Sequence, residues 1–216
     1  MRRSVGLIPL LLAFSSVRCG SDASLGTVIL DLVVTLGDTT GPGLLPSDPG
    51  AIARDSRGRF FLTFPYHAEE PPFVFAADGR FLQRVGRVGE GPGEFRRATH
   101  VFTGPGDSVY FIDKSLGRLS VYSADLALVR NAAFPRFGDA VRAPDGTFVI
   151  TTKGDLPGTF TLRHISARGE PGPRFGPVTS PCPPAICGAT DPRVLSMTAD
   201  GTLWTVWRFF RYQVDG

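Results

Sequence analysis

The chain has 216 residues, 42% of them apolar and 20% charged, which places it among globular proteins and outside the disordered and fibrous classes. Its formal charge of +3 includes Arg2, Arg3 and Arg18; without everything before Cys19 it carries 20 basic and 20 acidic residues, so no basic surface for nucleic acid is expected. Gly at 26, Pro at 19 and Phe at 17 point to many turns joining short aromatic-rich strands, and 21 of the 23 basic residues are Arg.

Residues 1–22 read as an export signal. Arg2 and Arg3 form a positive start, and Val5 to Phe14 is an apolar core too short to span a bilayer as a mature helix. Cys19 follows that core as the acylated Cys of a bacterial lipoprotein signal would, although Arg18 stands where a small residue is usual. Ordinary secretion, with cleavage after Ser15 or Ala23, is the other reading. Either way the mature domain, residues 24–216, is expected outside the cytoplasm: in the periplasm, in the outer membrane or at the cell surface. Its contact with a membrane would come only through the signal or a lipid anchor.

After residue 25 no long amphipathic helix is predicted. Apolar runs of four to eight residues alternate with Gly, Asp-Gly and Pro, and a strand is expected over 27–34. A hairpin pattern then recurs at Ile52–Thr63, Val101–Ile112, Ala140–Ile150 and Leu195–Val206. Its glycines, Gly58, Gly106, Gly146 and Gly201, are 48, 40 and 55 residues apart. A second hairpin follows each first one, at Phe73–Leu82, Leu119–Leu128, Leu162–Gly169 and Arg211–Gly216. Two hairpins per period make a four-stranded antiparallel unit, the size of a propeller blade. Such a unit buries its faces only against neighbours, so Phe60, Phe61, Tyr110, Phe111, Phe148, Val149, Leu203 and Trp204 are expected in the core between blades.

The best-marked stretch runs Gly86-Arg87-Val88-Gly89-Glu90-Gly91-Pro92-Gly93-Glu94-Phe95, and Asp113, Arg118, Val121 and Tyr122 follow a hairpin later. It resembles an NHL repeat, with Gly93, Phe95, Asp113, Arg118, Val121 and Tyr122 matching, Ala98 in place of Pro and Gly117 in place of Asn. The resemblance implies an all-β propeller of the six-bladed type found in bacterial envelopes. It also implies a structural role for Asp113 and Arg118, holding a turn together by a charge-assisted hydrogen bond. Only about 3.5–4 blades are present, where a six-bladed ring at this period needs about 270 residues. The chain is therefore read as a fragment, its early strand closing the circle with a missing blade. The Gly-rich run is a crossover between blades and not a nucleotide loop, because Pro92 interrupts it and no helix pattern follows.

Cys182 and Cys187 lie in a Pro-rich loop of an exported chain and are expected to form a disulfide, a local staple worth about 2 kcal/mol. A metal site is the competing reading, but it lacks nearby ligands. His67, His100 and His164 have no metal-binding spacing, no nucleophile elbow is present, and neither catalytic nor metal residues are assigned. His67 lies beside Glu69 and Glu70 in the loop Pro65–Pro72, read as a solvated hairpin loop. Two functions follow. The first is a cofactor-free binding or scaffold module that presents loops to a protein, peptide or glycan. The second is a lactonase-like hydrolase with a divalent metal, often Ca²⁺, in the central channel; the chain has one Asn, Asn131, for such a cage.

Overall fold

A computed structural model describes residues 32–67, 69–154, 159–179, 193–207 and 214–215. The chain divides into two units, Met1–Val33 and Val34–Gly216. In the first, only Leu32 and Val33 are described; they are exposed and lie outside any strand. The early strand expected over 27–34 is therefore absent at its described end, residues 32–34, which belong to no strand.

The second unit is a row of antiparallel sheets, each made from consecutive strands. Blade one is β1 (Ala51–Arg54), β2 (Phe60–Thr63), β3 (Phe73–Phe75) and β4 (Phe81–Arg84). A crossover follows, in which β5 (Arg87–Val88) pairs parallel with β6 (Glu94–Phe95). Blade two is β7 (Ala98–Thr103), β8 (Val109–Asp113), β9 (Arg118–Tyr122) and β10 (Leu128–Ala133). Blade three is β11 (Ala140–Arg142), β12 (Phe148–Lys153), β13 (Thr159–Ile165) and β14 (Pro171–Thr179). Blade four is β15 (Arg193–Met197), β16 (Leu203–Trp207) and β17 (Val214–Asp215). The first strand of each blade is the inner one: β1 lies beside β7, and β11 beside β15. This is β-propeller architecture.

Six hairpins close in the same way. The N–H of a turn's first residue donates to the carbonyl four residues on, and the fourth residue's N–H donates back to the first carbonyl; Ala143 to Thr147 at 2.8 Å and Gly146 to Ala143 at 3.0 Å show the pattern. That fourth residue must be left-handed, which glycine adopts without a Cβ penalty. Gly58, Gly79, Gly146, Gly169 and Gly201 all have φ between 83° and 91° there, and Leu126 takes φ 61°. In the hairpin between β7 and β8 the equivalent position is Asp107, φ 55°, one residue after Gly106. The expected glycine anchor is thus displaced by one, because Pro105–Asp107 forms a 3₁₀ turn.

Alternating residues of a strand reach different neighbours. Phe61 and Val74 of blade one pack with Val101, Val109, Phe111 and Tyr122 of blade two. One residue on, Ile112 and Leu119 pack with Phe148, Ile150 and Ile165 of blade three. Val149 and Leu162 turn the other way, towards Leu195 of blade four. The far face of blade one, with Leu62, Phe73 and Phe75, is covered by Leu36 and Leu45. Each sheet is a single layer with two buried faces, so only a stack satisfies it.

Of the residues expected between blades, Phe61, Phe111, Phe148 and Val149 are buried, while Phe60, Tyr110 and Leu203 are half-buried. Trp204 is 37% exposed. Leu203 packs towards blade three, and by strand alternation Trp204 lies on the opposite face, where no described blade stands.

Candidate functional site

One end of the blades carries the turn after β8, the connection from β10 to β11 and the end of β12. Between them lies a basin of about 930 Å³. Ile112, Leu116, Phe134 and Phe137 give it apolar walls, and Arg97, Lys114, Arg136 and Lys153 supply four cations. Among the described residues Asp113 is its one carboxylate. The chain has only two lysines, and both line this basin. Lys114 is held by its Nζ donating to the Gly138 carbonyl at 2.6 Å and lying 4.4 Å from the Phe137 ring centre. Arg97 donates from Nε to the Pro65 carbonyl at 3.1 Å.

The basin rests on Asp113, which is fully buried at the end of β8. Its Oδ2 accepts the N–H groups of Arg96 and Arg97, both at 2.8 Å, and its Oδ1 accepts that of Leu116 at 2.9 Å. One carboxylate therefore fixes both the turn beneath the basin and the backbone that carries Arg97. Arg118 faces Asp113 in the β8–β9 register but bonds elsewhere. Its guanidinium donates to the carbonyls of Glu90, at 2.7 Å, and Glu94. The turn is thus held by Asp113 through backbone N–H groups, and Arg118 clamps the crossover instead. Phe95 is buried against Phe111 and Tyr122, and the Tyr122 hydroxyl donates to the Gly93 carbonyl at 3.3 Å.

Beside the basin, His100 on β7 meets Asp139 just ahead of β11, Nε2 to Oδ1 at 3.0 Å. Asp139 also accepts the N–H of Ala140 and, through Oδ2, that of Leu195 on β15 at 2.8 Å. This carboxylate therefore joins the inner strands of three blades. Burial acts to raise its pKa, but the bonds from His100, Leu195 and Ala140 outweigh burial and hold the carboxyl below its ordinary range. A carboxyl whose folded pKa is depressed adds stability above its unfolded pKa, near 3.8, and loses it as pH falls through the lower folded value. Urea unfolding between pH 6 and pH 2.5 is expected to show a flatter acid decline for Asp139→Asn than for the parent chain. Parallel declines would mean that the clasp contributes nothing.

His67 is exposed in its loop, where Glu70 pairs with Arg84 at 2.8 Å, and His164 stacks on Phe175 at 4.8 Å. The structure does not bring the three histidines together. Cys19, Cys182 and Cys187 lie outside the described residues. No motif picks out the basin residues Lys114, Arg136, Phe137 and Lys153. The one signal for them was the scarcity of lysine in an Arg-rich chain. Among the described residues no group of three His, Cys, Asp or Glu converges on a metal position, and no helix is long and apolar enough to cross a membrane.

Residues 51–149 match the DUF5128 family, described as a 6-bladed beta-propeller. The fold is a β-propeller. A Bacteroides fragilis NCTC 9343 protein described as exported has a structure similar to this one, with a TM-score of 0.52 and 19% identity over 63% of this chain and 39% of that protein. Kuenenia stuttgartiensis hydrazine synthase is similar at a TM-score of 0.52 and 14% identity, over 75% of this chain and 44% of that one. At these identities the likeness is one of fold. The chain spans less than half the length of either of these structures. No curated protein matches its sequence.

Proposed function

We propose that this propeller is an exported, non-enzymatic binding module that uses the basin end of its blades to hold a protein, peptide or glycan segment. The observation that carries the reading is the basin itself. Its volume, about 930 Å³, is in the range of ligand pockets, and its polar groups project from turns on stacked, well-buried sheets. The signal-like residues 1–22 support export, with Cys19 as the acylated residue and a Cys182–Cys187 staple suited to an oxidising compartment. The crossover and turn of residues 86–122 fit the NHL-like pattern, its glycines and Arg118 serving the frame.

The metal-dependent alternative needs several oxygen donors around one point. The described residues do not fit it: Asn131 sits on β10, the strand farthest from the inner one, and no acidic cluster faces the channel. The binding reading is tested with glycan and peptide arrays probed by the protein expressed from its whole gene. Ligands are expected whose capture falls in Arg136→Glu/Lys153→Glu and persists in Arg80→Gln, at the opposite end of the blades. Capture indifferent to the basin variant would overturn the reading.

A further inference from the structure

We infer that the basin is an oxyanion site: the ligand segment it holds carries more than one carboxylate, sulfate or phosphate group. The inference rests on reading this end of the propeller as the binding face, and it specifies the ligand's chemistry.

The charge balance carries it. Among the described residues four cations line the basin against one carboxylate, Asp113, whose two oxygens already accept three backbone N–H groups beneath the floor. The nearby crossover carboxylates are engaged as well. Glu90 pairs with Arg96 at 2.8 Å and Glu94 with Arg87 at 2.6 Å. Hydrogen bonds from the Gly91 N–H and from Arg87 hold Glu94 below the usual carboxylate range. The ion pairs among the described residues leave Arg97, Arg136 and Lys153 without a carboxylate partner. Apolar walls of Ile112, Phe134 and Phe137 reduce screening and focus the positive potential inward.

The choice of basic residue points the same way. Elsewhere arginines serve the frame: Arg59 pairs with Asp55 and lies over Phe61, Arg118 clamps the crossover, and Arg142 lies over Tyr110. Planar guanidinium suits such stacked and forked contacts, whereas lysine is a compact point charge on a flexible stem. In a chain with 21 arginines, the two lysines fall together in one basin, with Arg97 and Arg136 able to grip an oxyanion in fork geometry.

The test is calorimetric titration of the whole protein at low ionic strength with citrate, with pyrophosphate and with maltotriose as the neutral probe. Citrate or pyrophosphate is expected to bind, to weaken with added NaCl, and to lose about tenfold in affinity in Arg136→Gln/Lys153→Gln. Both positions are exposed at the rim, so an unchanged unfolding temperature is expected to show that the variant folds. Arg80→Gln removes the same type of charge at the other end and is expected to leave binding intact. Equal loss in Arg80→Gln would mean a net-charge effect and would overturn the inference, as would the absence of binding by either anion. Anion-independent capture of maltotriose at the basin would also overturn it, while leaving the binding-module reading in place. Array ligands that map away from the basin would remove both.

Discussion

Replacing Asp113 with Ala is expected to lower the unfolding free energy by about 3–5 kcal/mol, among the largest single effects in this chain. The side chain is 0% exposed and accepts three backbone N–H groups from two separate segments. Alanine leaves those donors without their acceptor. Asp113→Asn keeps the shape, but one of its two acceptor oxygens becomes an NH₂ that opposes the donors it replaces. It is expected to lose nearly as much, which separates charge and acceptor count from packing. Urea denaturation measures both variants. A loss below about 1 kcal/mol for the alanine variant would show that water replaces the carboxylate, as at an ordinary exposed turn. Because the same oxygen fixes the Arg97 backbone, Asp113→Asn is also expected to weaken anion binding at the basin wherever the fold survives.

Phe148→Ala is expected to cost about 3–5 kcal/mol, the usual range for emptying a buried aromatic site. Its ring is fully buried and meets Phe102 at 5.6 Å and Tyr110 at 5.9 Å, both on blade two, and Phe134 at 5.6 Å, in edge-on geometry. The cavity would open between two single-layer sheets, each of which depends on the other to exclude water. Trp204→Ala supplies the contrast. Trp is the larger side chain, yet at 37% exposure on the outer face of blade four it is expected to cost under about 1.5 kcal/mol. Thermal and urea unfolding of the two variants decide the matter. Equal losses would contradict the stacked-blade account of where burial lies.

Much of the fold was legible in the chain because propeller blades are local. Every strand pair within a blade joins consecutive strands, so the Asp-Gly turns and alternating apolar runs on either side of them encode the sheet directly. Where the pattern slipped, a local geometric fact intervened. In the Pro105–Asp107 turn Gly106 and Asp107 are both left-handed, and the hairpin-closing position falls on Asp107, where a search for glycine does not find it. The Asp113–Arg118 pairing was what the NHL resemblance implied, and the two residues do oppose one another in the β8–β9 register. The backbone donors of Arg96, Arg97 and Leu116 claim the carboxylate first, because buried N–H groups must find acceptors.

The amino-acid order by itself determined the strand-and-turn rhythm, the four-stranded unit and the need for neighbours, since each depends on residues a few positions apart. The tertiary structure alone decided which strand face each neighbour covers, that Asp139 ties three inner strands together, and that Lys114 and Lys153 come together 39 residues apart to line one basin. The reason is that electrostatic sites and inter-blade contacts depend on distance in space, and only the stacking of successive blades brings the ends of different sheets side by side.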